Sequence, residues 1–175
     1  MLDKDIEKVL VSAEEIDEIA RRLGKQLTED YKDKFPIVVG LLKGCVPFMG
    51  RLVTEMDCHL ELGFMDVSSY HGGIESTGDI KIKKDLDVPV QGRHVIIAED
   101  IVDTGRTLAE VREQLLKLRP ASLKIVTFLN KPDAMIIPLT LDYVGFRIKN
   151  DFVVGYGLDY DGHGRNLDDI CVVVE

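Results

Sequence analysis

Residues 95–108 read VIIAEDIVDTGRTL, and this run constrains the fold more than any other stretch of the chain. An apolar segment reaches two adjacent carboxylates, Glu99 and Asp100. A turn opened by Asp103 and containing Gly105 follows. From Leu108 the apolar positions Leu108, Val111, Leu115, Leu116 and Leu118 recur with helical spacing. The apolar segment suits a strand buried on both faces of a parallel sheet. The turn then joins a strand's carboxyl end to a helix's amino end. Free backbone N–H groups and the helix dipole make such a junction an anion site.

Carboxylates just upstream of an anion site suit a ligand that carries phosphate together with hydroxyl groups or a cation. Thr104, Gly105, Arg106 and Thr107 offer amides and hydroxyls to phosphate, while Glu99 and Asp100 can accept from sugar hydroxyls or hold a divalent ion. Taken singly, the acids are ordinary solvated carboxylates and Thr104-Gly105 a plain turn; the ordered combination is what points to a site. The run is not a P-loop, because G-x-x-x-x-G-K-[ST] occurs nowhere in the sequence.

The other elements repeat this alternation. Ser12-Ala13-Glu14-Glu15 forms a capping box ahead of Ile16, Ile19, Ala20, Leu23 and Leu27. Residues 36–42 read as the first buried strand, ending at Lys43-Gly44, with a helix over 46–56. Further strands are expected at 58–67, 80–82, 123–129, 143–146, 152–154 and 170–174, and Pro120 should end the helix after the central strand. Alternating β and α elements predict an α/β fold with a mostly parallel sheet, ligands lying beyond the strands' carboxyl ends. Residues 68–78, polar and rich in glycine, have the composition of a long loop or lid.

With 175 residues, 45% hydrophobic and 30% charged, the chain has the length and composition of one globular domain. A net charge of −9 argues against a surface that tracks nucleic acid, though not against a small phosphorylated ligand. No apolar run approaches the roughly 18 residues of a membrane span, and the charged N-terminus lacks a signal peptide's apolar core. Three scattered cysteines, Cys45, Cys58 and Cys171, read as reduced cytoplasmic thiols.

Four patches in order resemble the type I phosphoribosyltransferases, and within them the bacterial hypoxanthine-guanine phosphoribosyltransferases. They are Leu42-Lys43-Gly44; Ser69-Tyr70 with residues 76–79; the 95–108 run; and Lys131 followed by Phe152 to Tyr160 and Arg165. The resemblance implies one domain over 1–175: a central sheet flanked by helices, a small hood built from the N- and C-terminal segments, and a lid at about 68–79. It implies purine salvage: PRPP and hypoxanthine or guanine give IMP or GMP and pyrophosphate, with Mg²⁺, in a cytoplasmic homodimer or homotetramer.

The resemblance also implies roles. Asp103 to Thr107 hold the 5′-phosphate, and Glu99 and Asp100 face the ribose and Mg²⁺. Lys43 and Gly44, after a cis Leu42–Lys43 peptide, bind pyrophosphate together with Arg165. Lys131 donates to the purine 6-oxo group, Phe152 stacks on the ring and the Val153 backbone reads its edge. Asp159 borders the purine and joins a second Mg²⁺ site, and Ser69 and Tyr70 close with the lid. Asp103 is the general base for the N7 proton or, alternatively, a cap satisfying amides. Without the family pattern, Lys131 is a solvated lysine, Phe152 a core residue, and His59, His71, His94 and His163 solvated loop histidines. A xanthine-preferring enzyme and an RNA-binding attenuator on the same fold are the competing readings. Asp151 and residues 161–164 depart from mammalian-type members.

Overall fold

The computed structural model describes residues 6–69 and 80–173. Strands β2 (Ile37–Leu42), β3 (Glu61–Ser69), β4 (Ile80–Lys84), β5 (His94–Val102), β6 (Ser122–Asn130) and β7 (Tyr143–Arg147) form a six-stranded sheet in the order β4-β3-β2-β5-β6-β7. All neighbours are parallel except β3 and β4. The chain leaves β2 toward β3 on one side and β5 toward β6 on the other. The β2/β5 boundary is thus the topological switch point, where open α/β sheets leave a crevice.

Burial alternates along the strands and explains their unbroken apolar runs. Val38, Ile96, Ala98, Val126 and Phe128 pack with helix α1 (Ala13–Tyr31) and helix α2 (Cys45–Thr54). Their neighbours Ile37, Val39, Val95, Ile97 and Ile125 pack with Leu108, Val111 and Leu115 of helix α3 (Arg106–Lys117). Helices therefore cover both faces, and strands buried on both sides need no polar alternation. The capping box forms as expected: Ser12 Oγ accepts from Glu15 N and Glu15 Oε2 accepts from Ser12 N.

A second, antiparallel sheet has the order β1-β9-β8, from β1 (Ile6–Val11), β8 (Val153–Val154) and β9 (Ile170–Val173). β1 carries no apolar alternation; it is a strand because β9 offers it an edge. Other boundaries also differ from expectation. β3 starts at Glu61 rather than residue 58 and runs to Ser69, into the stretch expected to be lid. Tyr70 and residues 71–79, the rest of that stretch, lie outside the described residues. α3 starts at Arg106, because left-handed Gly105 (φ +79°) turns the chain directly into the helix. It ends at Lys117, before Pro120, with Arg119 left-handed at φ +55°, and Leu116 and Leu118 are exposed rather than in the core.

Candidate active site

The parallel strands deliver their following loops to one edge. Lys43-Gly44 leaves β2, residues 103–107 leave β5 and Lys131 leaves β6, while residues 152–165 cross over this edge from the smaller sheet. Two adjoining cavities result. One of about 130 Å³ is lined by Glu99 and residues 101–108. The other, about 310 Å³, is lined by Asp100, Ile101, Asp103, Lys131, Phe152, Val153, Leu158, Asp159 and Arg165. The larger is of the size that small-molecule sites need.

The smaller cavity is a turn at a helix amino end. Gly105 caps α3 with no side-chain hydrogen bond of its own, and Arg106 N donates to Thr104 Oγ1 only at a long 3.5 Å, so the helix's positive end keeps donors for an anion. Ile136 N and Ile137 N both donate to Thr104 O (3.0 and 3.1 Å), tying the segment after Lys131 to this turn. Asp103 does not cap the helix: the capping position is Gly105, which corrects the alternative reading of that carboxylate.

In the larger cavity Lys131 is only 7% exposed, and its Nζ lies 3.5 Å from Asp103 Oδ2, while the Asp103 side chain is 49% exposed. Lys131 N donates to Val102 O (2.9 Å), which places the lysine beside the turn after β5. A solvated lysine is therefore not what the fold contains. Phe152 stands half-exposed at the rim, edge-on to Tyr160 with centroids 5.5 Å apart, and not in the core. Arg165 Nη2 pairs with Asp159 Oδ1 at 2.7 Å, and Asp159 Oδ2 accepts from Gly162 N at 2.8 Å.

Glu99 and Asp100 are the electrostatic strain of the site. Burial, with the neighbouring Asp100 carboxylate, holds Glu99 well above the usual carboxylate range. Burial also raises Asp100, offset in part by hydrogen bonding to Glu99 and by the Arg165 charge. Two oxygen-ligand groups that cannot comfortably both ionise alone fit a hard divalent cation. Among the described residues no three His, Cys, Asp or Glu side chains gather as a metal group. Glu99 and Asp100 could hold such an ion as a pair, with the rest of its shell coming from water and ligand oxygens. Cys45, behind the acids, has its thiol pushed to about 12 by burial first and by Glu99 and Asp100 next, so it offers no thiolate nucleophile.

Gly44 is buried against the acid pair: a Cβ there would overlap Asp100 Oδ2. The Leu42–Lys43 peptide before it is cis. Lys43 is exposed, and Ser69 closes β3. Thr104 and Thr107 are half-buried and Arg106 exposed along the smaller cavity. Val153 is buried at the start of β8. His59 and His163 are exposed, but His94 opens β5, bonds Ser122 Oγ through Nδ1 at 2.7 Å and meets Tyr31 edge-on, so it is not a solvated loop residue. Ile101 and Leu158 line the cavity without having been singled out. Apolar residues in apolar contexts carry no sequence signal of a ligand wall.

Residues 12–161 match the family described as phosphoribosyl transferase domain. A hypoxanthine-guanine phosphoribosyltransferase of Streptococcus pneumoniae (strain ATCC BAA-255 / R6) is 53% identical over 175 residues, 100% of this chain and 97% of that protein. Its counterpart in Lactococcus lactis subsp. lactis (strain IL1403) is 55% identical over 166 residues, 95% of this chain and 90% of that protein. A solved hypoxanthine phosphoribosyltransferase of Staphylococcus aureus superposes with TM-score 0.95 at 46% identity, covering 99% of this chain and 94% of that one.

Proposed function

The chain belongs to the phosphoribosyl transferase family and has its type I fold, and from that premise we propose that it joins hypoxanthine or guanine to the ribosyl group of PRPP. The products are IMP or GMP and pyrophosphate, a purine-salvage reaction. In the reaction the purine N9 lone pair forms the bond to C1, the C1–O bond to pyrophosphate breaks with its electron pair leaving on oxygen, and the N7 proton departs to a base.

The observation that carries this reading is the buried Lys131 ammonium facing one cavity with Asp103 and Phe152. A fixed donor selects a 6-oxo group: a 6-amino group would set donor against donor at the buried ammonium. Phe152 at the rim offers the ring a stacking face. Asp103, exposed and 3.5 Å from that ammonium, takes the N7 proton in this reading while the lysine holds the 6-oxo end of the same edge. The turn at residues 103–107 receives the 5′-phosphate, and Gly44 and Arg165 receive the pyrophosphate. Glu99 and Asp100 would hold Mg²⁺, which would supply positive charge for the ribose hydroxyls and the departing pyrophosphate. We place this activity in the cytoplasm, in a homo-oligomer, as the family resemblance implies.

The test is turnover with PRPP and Mg²⁺ on hypoxanthine, guanine, xanthine and adenine separately. IMP and GMP form and adenine yields nothing. A folded protein that makes no nucleotide from hypoxanthine or guanine overturns the proposal, and one that strongly prefers xanthine replaces the substrate assignment.

A further inference from the structure

The backbone at Gly155-Tyr156-Gly157 is left-handed at three successive positions, with φ +104°, +46° and +102°. Such geometry is unfavourable for a non-glycine residue, and Tyr156 keeps it only because its surroundings impose it. The Tyr156 ring is edge-on to Phe128 at 5.3 Å, and its Oη donates to Pro47 O at 3.3 Å, in the first turn of α2. The turn is thus nailed to the core on one side and to the helix that follows Gly44 on the other.

Gly157 is the point where this strained turn meets the site. Its N–H donates to Arg165 O at 2.9 Å, and its own carbonyl accepts from Arg165 Nη1 at 2.5 Å. On its other side it presses on the β2 loop: a Cβ at Gly157 would overlap Gly44 O and come within 3.0 Å of Pro47 Cδ. Gly44 in turn packs on the Asp100 carboxylate with no room for a Cβ. Gly157 therefore ties the Arg165 guanidinium and the Gly44 backbone, which come from distant segments of the chain, into one unit beside Asp100.

We infer that Gly157, held by the Tyr156 anchor, is a positioning residue for the pyrophosphate half of the site: it sets Arg165 and Gly44 in register with each other. This rests on the assignment of Gly44 and Arg165 to pyrophosphate made above. Gly157 needs to touch no substrate. Its work is to keep two anion-binding groups at one fixed separation, and misplacement by about 1 Å in such a constellation costs on the order of 10²-fold. The purine-side groups are held elsewhere: Lys131 and Asp103 follow β6 and β5, and Phe152 and Val153 are fixed by the pairing of β8 with β9, where Val173 N donates to Phe152 O at 3.0 Å, so the turn bears first on the pyrophosphate side.

The experiment compares wild type with Gly157→Ala in steady-state kinetics in both directions, varying PRPP, pyrophosphate and hypoxanthine in turn. For Gly157→Ala the KM values for PRPP and pyrophosphate rise by about ten-fold or more while that for hypoxanthine stays within about two-fold. A parallel rise in all three, or no rise in the PRPP and pyrophosphate values, overturns the inference. If Gly157→Ala does not fold, Tyr156→Phe carries the test: it loses one hydrogen bond, which weakens PRPP and pyrophosphate by about three-fold to ten-fold and leaves hypoxanthine unchanged. Unchanged PRPP and pyrophosphate constants in that variant also overturn it. Wild type that fails to turn over PRPP refutes the functional proposal itself, whereas active wild type with insensitive variants refutes only the positioning role.

Discussion

At Glu99 the fold holds a carboxyl where its charge is disfavoured. Its raised pKa means that the folded state binds a proton which the unfolded chain has already released, so stability falls as pH rises through the interval between the two values. Glu99→Gln removes that penalty. The ligand-free variant should melt about 2–4 °C above wild type at pH 8, with the gain vanishing near pH 4, where both states are protonated. The same variant should bind PRPP with Mg²⁺ more weakly, because it has lost a cation ligand; calorimetry and a melting series at the two pH values check both halves. Asp103→Asn keeps the size of the side chain but removes the acceptor for the N7 proton. Turnover should fall by about 10²–10⁴-fold with the PRPP KM little changed, read from initial rates. These acids were legible in the sequence because they stand together at the end of an apolar run. The burial of Lys131 was not, since a lysine before a proline at a strand end looks solvated whether or not a neighbouring turn closes over it.

Among the elements, α3 and the turn before it show how local chemistry becomes a site. Gly105 is left-handed, and a Cβ there would come within 2.8 Å of Ile137 O, so no other residue fits without moving one of two loops. Gly105→Ala should raise the KM for PRPP and the inhibition constant of IMP by about ten-fold, because both carry the 5′-phosphate, and leave the pyrophosphate KM nearly unchanged. α1 offers the contrast of a purely structural cap. Ser12→Ala should cost about 1 kcal/mol in denaturant unfolding with turnover intact, as Ser12 Oγ accepts from Glu15 N at 3.3 Å and lines neither cavity. Both features could be read from residue order alone, since caps and turns depend on neighbours in the chain. β1 could not: Ile6–Val11 carries charges at Glu7 and Lys8, and its pairing with β9 is a contact between the two ends of the sequence.

Over the whole molecule, the site lies beyond the carboxyl ends of β5 and β6, where residues 152–165 of the smaller sheet's segment close one cavity, and no set of three metal-ligating side chains gathers among the described residues. Chelation should therefore abolish turnover while leaving the unliganded fold intact. EDTA removes activity, added Mg²⁺ restores it, and the melting temperature without PRPP shifts by no more than a degree or two; a collapse of the melting transition would make the ion structural instead. The amino-acid sequence by itself determined the strand-turn-helix at 95–108, the capping box at Ser12, the both-faces-buried strands and the resemblance that names the chemistry, because each is written in residues adjacent along the chain. Only the tertiary structure decided that Gly44 packs on Asp100, that Lys131 stands 3.5 Å from Asp103, and that Gly157 joins Arg165 to the loop after β2. Periodicity reports how deeply a residue is buried and not which distant segment buries it. Those partners follow from strand order and from the smaller sheet crossing the edge of the larger one.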